Sequence, residues 1–295
     1  MTEQQLIGRG HKGTQILERD RDIFVAIYNH EGLLTFRQIV ALFFPGERYA
    51  YDRLSKLCAY GWLNRSDRVL RAAYGEVVYW LTEKSAAVVA SLLDRPFDKN
   101  FKWVQKLHPN HIPHEIMMND VRIKIESDCA KTGYLAVSEW VSEKDLKVHP
   151  DLVTFTNLDG KPAKRAVKPD GFCIIHNTQT GNNSRCLWEL LHKVDNRRLI
   201  LDEKILPGIA YLGSEPYKIR TGGYGSGRWF YVIHSPNATL RLKNLKESID
   251  RQTGSHADRF LLITYEAAMQ SSNILLDPIW YRGGSERLFS MIAPS

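Results

Sequence analysis

Apolar residues recur at three- and four-residue spacing soon after Leu17. Ile23, Phe24, Ile27 and Tyr28 share one face, which predicts a helix ending near Gly32. Thr35 then caps a short helix with Ile39, Leu42 and Phe43 on one side, and Pro45-Gly46 turns the chain. A third helix is expected from Glu47 to Tyr60, turning Ala50, Leu54, Leu57 and Cys58 inward. Leu63 to Leu70 and the alternating Val77 to Leu81 predict a β-hairpin joined through Tyr74-Gly75. Thr82 caps a further helix, Glu83 to Leu93. Residues 1–16 read as a loose polar arm without the apolar core of a signal peptide.

After a charged stretch with Pro96 and Pro109, the pattern changes. An amphipathic helix from His114 to Lys131 buries Ile116, Met117, Val121, Ile125 and Cys129, and Gly133 ends it. Strands are expected from Tyr134 to Val141, Ala166 to His176 and Arg185 to Leu191, with a polar connection between the first two. A helix from Arg198 to Leu212, a strand from Arg228 to His234, a helix from Ala238 to Gln252 and a strand from Arg259 to Thr264 follow. In that last helix Leu240, Leu245 and Ile249 set the spacing, and with its flanking strands it makes a crossover unit. The order is that of an α/β layer fold with a mixed sheet. The expected division is an α+β domain over 15–93, a linker over 94–111 and an α/β domain over 112–295.

A length of 295 residues agrees with two domains, and 43% hydrophobic residues exclude a disordered chain. No run approaches the ~18 apolar residues of a membrane span. Cys58, Cys129, Cys173 and Cys186 are scattered, which predicts reduced thiols in a cytoplasmic protein and no structural zinc. A net charge of +7 suits a polyanionic partner, because Lys and Arg displace phosphate counterions.

Three helices followed by a hairpin is the order of a winged helix-turn-helix, whose third helix enters the major groove. Its outward side chains are expected to be Arg48, Tyr49, Asp52, Arg53 and Lys56, with Arg68 and Arg71 on the first wing strand. Arg grips guanine bidentately, and Lys and Tyr hold phosphates, so double-stranded DNA is the expected partner. Winged helices often act in pairs on inverted half-sites, which makes a homodimer the assembly to test. A face used for protein contacts is the alternative.

One constellation carries candidate chemistry. Asp170, in Lys168-Pro169-Asp170 on the second strand, and Glu189 on the third would sit on adjacent strands. Two such carboxylates suit Mg²⁺, which activates water and stabilises a phosphorane-like transition state. The order resembles the PD-(D/E)xK nucleases, but the lysine of Glu-x-Lys falls on Leu191. Lys193 and Lys204 are candidate substitutes, and Glu115 a candidate third carboxylate. Two readings stay open: a Mg²⁺-dependent endonuclease, or a degenerate remnant that needs no cofactor. Gly222 to Gly227 lacks a Gly-Lys-Ser/Thr ending and precedes a strand, so it reads as a connection. His108, His111 and His114 straddle two prolines and share no helical face.

These features together resemble the replication-relaxation family of bacterial plasmid and mobile-element proteins. The matching stretches are Arg19-Asp-Arg-Asp-Ile-Phe24, Tyr79-Trp-Leu-Thr82 and His114-Glu-Ile-Met-Met-Asn-Asp-Val-Arg122. Further matches are Lys168-Pro-Asp170, Trp188-Glu189, Lys204 followed by Tyr211, and Ile279-Trp280. The family's usual Glu-x-Asp and Arg-Gly-Thr are replaced after Glu189 by Leu-Leu-His-Lys193. The resemblance implies an N-terminal winged helix, a nuclease-like α/β domain, and a role in plasmid replication or DNA processing.

Overall fold

The structure, a computed structural model, describes residues 15–148, 150–192 and 196–292. Most of the N-terminal arm, and Lys193, lie outside the described residues. The chain divides between Asn119 and Asp120 into two compact units.

In the first unit, α1 (Glu18–Asn29) buries Ile23, Phe24 and Ile27. The strand β1 (Leu34–Thr35) leads into α2 (Phe36–Phe43) through a capping box: Thr35 Oγ1 accepts from Gln38 N and Gln38 Oε1 from Thr35 N. The helix α3 (Glu47–Ala59) turns Ala50, Leu54 and Leu57 fully inward. Next come β2 (Leu63–Arg65), α4 (Arg68–Tyr74), β3 (Val78–Leu81) and α5 (Glu83–Leu92). The three strands form an antiparallel sheet in the order β1-β3-β2.

The expected hairpin strand from Leu63 to Leu70 is corrected by this structure. Of that stretch, β2 alone pairs with β3; Arg68 and Arg71 stand on the short helix α4 instead. The cause is local: the Asp67 carboxylate accepts Leu70 N at 2.8 Å, and Gly75 closes the helix at φ 75°. Residues 94–111 contain no helix or strand until α6 (Ile112–Thr132), but Phe101 and Leu107 within them are buried, and Phe101 stacks on Tyr28. Pro113 is tolerated in the first turn of α6, where its missing N–H has no intrahelical partner.

The second unit is built on a seven-stranded mixed sheet. Its members, in chain order, are β4 (Leu135–Ser142), β7 (Gly171–Asn177), β8 (Asn183–Leu191), β9 (Arg228–Ile233), β10 (Phe260–Thr264), β11 (Trp280–Arg282) and β12 (Leu288–Phe289). They lie in the order β12-β11-β10-β9-β8-β7-β4. The strands β4, β7 and β8 run antiparallel; β8, β9 and β10 run parallel. The expected crossover is present as α11 (Ala238–Thr253) between β9 and β10, although Leu242 rather than Leu240 is buried with Leu245 and Ile249.

The expected second strand, Ala166 to His176, is two strands in different sheets. The connection before it holds α7 (Glu143–Val148) and β5 (Asp151–Thr156), and β5 pairs with β6 (Pro162–Val167) in a separate hairpin. Pro169 cannot donate to a ladder, so the strand breaks there, and pairing resumes with Asp170 N on Trp188 O. Asp170 therefore precedes β7 instead of lying within a strand.

Alternation along β8 supplies both faces of the sheet. Leu187 and Leu191 join a core with Trp229, Tyr231 and Ile233 of β9 and Leu242, Leu245 and Ile249 of α11. Trp188 turns the other way, stacking on Phe230 at 4.9 Å and meeting Trp280 edge-on. Between β8 and β9 the chain forms one near-continuous helical stretch: α8 (Arg197–Ile200), a π segment (Leu201–Ile205) and α9 (Leu206–Leu212), followed by α10 (Glu215–Arg220). Pro207 has no N–H to offer Glu203, and Leu206 N reaches back five residues to Leu201 O, so the turn widens. No helix among the described residues is long and apolar enough to cross a membrane.

Candidate functional site

Two places in the molecule gather the residues singled out in the sequence. The first is the outer face of α3 and α4. Arg48, Tyr49, Asp52 and Lys56 are exposed on α3, and Arg68 and Arg71 on α4. Tyr49 and Tyr51, on the same helix as Arg48 and Lys56, leave 71% and 60% of their surface in solvent. Arg65, at the end of β2, lies on the expected wing strand but was not among the residues singled out there. Its guanidinium and that of Arg71 both act on the phenol of Tyr79, and Tyr51 acts there as well, so α3, β2 and α4 converge around Tyr79. Burial nevertheless dominates and pushes the Tyr79 phenol up to about 12.

Arg53 does not belong to that outer face. Its Nε donates to Asp20 Oδ1 at 2.9 Å, its Nη2 pairs with Asp20 Oδ2, and Nη2 also donates to Gln15 O at 2.8 Å. Asp20 is wholly buried in α1 and also accepts Leu17 N. The hydrogen bond to Asp20 outweighs burial and raises the Arg53 pKa. Arg53 is a strut between α3 and α1, a role that its position on the helical wheel cannot reveal.

The second place lies in the second unit, at the end of β8. Asp170 Oδ2 accepts Leu190 N at 2.7 Å, which fixes the carboxylate beside the strand that carries Glu189. Glu189 is 2% exposed, and its Oε2 takes the Lys204 ammonium at 2.7 Å. Lys204 comes from the π segment, whose widened turn carries it to the sheet. Burial works against its charge, but Glu189 and then Asp170 outweigh that cost and hold the ammonium above the ordinary lysine range. Asp170, Glu189 and Lys204 thus come together.

A cleft of about 260 Å³ opens over Glu189 and Lys204. Arg165, Lys168, Glu189, Glu203, Lys204 and Trp229 are among its lining residues, with Arg165 paired to Glu203 at 2.8 Å. Arg165 was missed because it lies on β6, a strand hidden within the expected polar connection. Alongside, Tyr211 donates to Asp151 at 2.6 Å and Arg220 to the same carboxylate at 2.9 Å, tying β5 to α9 and α10. Leu191, where the nuclease-type lysine would stand, is buried in the core. Glu115 lies in the first turn of α6, in the first unit. Among the described residues no group of three His, Cys, Asp or Glu is arranged to hold a metal, and all four cysteines are free thiols.

No curated protein and no solved structure matches the chain. A family model described as replication-relaxation matches residues 25–190, from α1 to the end of β8. The match includes Asp170 and Glu189 and stops before Lys204. Because it spans more than half of the chain, the protein belongs to the replication-relaxation family.

Proposed function

We propose that this is a replication-related protein of a plasmid or mobile element that binds duplex DNA and acts in control of that element's replication or transcription. The observation that carries the reading is the exposed array of Arg48, Lys56, Arg65, Arg68 and Arg71 interspersed with Tyr49 and Tyr51. Helices α1 to α3 followed by β2 and β3 suit a winged helix-turn-helix, with α3 the element for the major groove and α4 standing in the wing. Such a protein works in the cytoplasm, and two copies on inverted half-sites are the expected assembly. The test is duplex affinity across a salt series for wild type and the Arg48→Ala/Lys56→Ala/Arg71→Ala variant. Binding weakens in the variant, and the salt slope falls by about 0.9 for each phosphate that is no longer neutralised. Equal affinity and slope would turn the reading towards a protein-interaction face.

A second reading, DNA cleavage, is favoured by the Lys204–Glu189 pair beside Asp170. Two carboxylates without a third ligand suit Mg²⁺, which keeps most of its waters, and do not suit a closed zinc site. Asp170 and Glu189 would hold the ion, whose chemistry is to acidify water and polarise a phosphate. Lys204 would steady a phosphate or an attacking water from the side of the cleft. Incubation of supercoiled and linear DNA with Mg²⁺ or Mn²⁺ decides this, beside Asp170→Ala and Glu189→Ala. Cleavage abolished by both substitutions supports an endonuclease, whereas intact DNA leaves a non-catalytic nuclease-like domain.

A further inference from the structure

Tyr231 lies on β9, paired in register with Glu189 of the neighbouring parallel strand β8. Residues in register on adjacent strands share a face of the sheet, so the phenol and the carboxylate stand side by side. Trp229, two positions earlier on the same face, lines the cleft together with Glu189. The Tyr231 ring is packed between Trp229 and Phe260, at 6.3 Å and 6.1 Å between ring centres.

The hydroxyl of this residue is the anomaly. Tyr231 is 0% exposed, and its oxygen makes no hydrogen bond among the described residues. Burying a hydroxyl without a partner costs stability, and Phe would fill the same volume without that cost. Two other buried tyrosines of this core are treated differently. Tyr211 donates to Asp151 at 2.6 Å and Tyr217 to Ser226 O at 2.9 Å. A phenol carries its proton at neutral pH. The group is therefore a donor beside the Glu189 carboxylate.

We propose that the Tyr231 hydroxyl is a positioning group of the Asp170–Glu189–Lys204 site, a donor held for an oxygen that becomes available when a divalent cation is bound. That oxygen belongs to a carboxylate reoriented by the cation or to a water in its shell. The inference rests on the cation reading of this site and deepens it. Outer-shell hydrogen bonds of this kind fix the orientation of metal-binding carboxylates, and their loss typically weakens metal affinity about 10–100-fold.

The experiment uses the full chain and Mn²⁺ alone, with calorimetric titration and thermal unfolding of wild type, Tyr231→Phe and Glu189→Gln. Without Mn²⁺, Tyr231→Phe melts at or above wild type, because an unpartnered hydroxyl has been removed. With Mn²⁺ it binds about 10–100-fold more weakly and loses most of the stabilising shift. Glu189→Gln loses the binding. Equal Mn²⁺ affinity in wild type and Tyr231→Phe would overturn the role of Tyr231 and leave the cation reading standing. Absence of binding in wild type, or binding unchanged in Glu189→Gln, would overturn both. A clearly lower melting point of Tyr231→Phe without Mn²⁺ would assign the hydroxyl a structural partner and overturn the proposal.

Discussion

Lys204 Nζ lies 2.7 Å from Glu189 Oε2, joining a π segment to the inner strand β8 of a seven-stranded sheet. The pair is asymmetric: the Glu189 side chain is 2% exposed, whereas that of Lys204 keeps 35% of its surface. Lys204→Met should therefore cost mainly through the carboxylate left behind. About 1–2 kcal/mol is expected after allowing for solvent screening at the ammonium. The pair also sets a pH dependence. The ammonium pKa is raised on folding, so the contribution is complete below the ordinary value of 10.5 and is lost as pH rises through the folded value. Urea unfolding of wild type and Lys204→Met should converge at strongly alkaline pH and differ most near neutrality.

Arg48 and Arg53 stand on the same helix, α3, yet they should behave oppositely. Arg53→Ala strands the fully buried Asp20 carboxylate and should cost about 3 kcal/mol. Arg48→Ala, on an exposed face, should change stability by no more than about 0.5 kcal/mol while weakening DNA binding. Thermal unfolding and duplex titration of the two variants separate the strut from the recognition face. Equal destabilisation by both would contradict the Arg53–Asp20 strut.

Much of the element order was legible because periodicity and caps are local signals. Thr35 and Thr82 announce their helices through side-chain hydrogen bonds to backbone three residues away. The parallel strands β9 and β10 show as apolar runs because both of their faces are buried. What the sequence concealed was decided by tertiary partners. Nothing near Arg53 marks Asp20, 33 positions earlier, as its acceptor. Lys204 looks like any polar residue of a helix until Pro207 widens the turn and sends it to Glu189. The α4 helix was missed for a different reason: it is only 7 residues long, and the alternating Val77 to Leu81 that follows it favoured a hairpin turning at Tyr74-Gly75.

Gly283 carries a constraint of close approach. A Cβ at this position would run into the backbone carbonyl of Ala257, an atom held by its own chain and unable to rotate away. Gly283→Ala should destabilise the second unit by about 1–3 kcal/mol, towards the upper end because the obstacle is backbone. Gly46 is the control, since nothing lies within 4 Å of its would-be Cβ and its φ of −173° is ordinary extended backbone. Gly46→Ala should cost no more than about 1 kcal/mol, the preference of an N-cap for Gly over Ala, with no clash added.

The proposed boundary between a DNA-binding domain over 15–93 and a following linker can be tested with trypsin. Residues 94–100 are exposed throughout and contain Arg95 and Lys99. From Phe101 the segment is held more firmly, since Phe101 and Leu107 are buried and Tyr74 donates to Pro109 O at 2.6 Å. Cleavage needs several consecutive residues to enter the protease extended, which exposed irregular backbone permits and packed backbone resists. Among the described residues, limited digestion should therefore cut first after Lys99, because Pro96 makes the bond after Arg95 resistant to trypsin. The earliest fragments, identified by mass spectrometry, should share an end at Lys99. Early cuts at Arg165 or Lys204 instead would indicate that the β5–β6 hairpin and the π segment open more readily than the proposed linker, and would argue against this division of the chain.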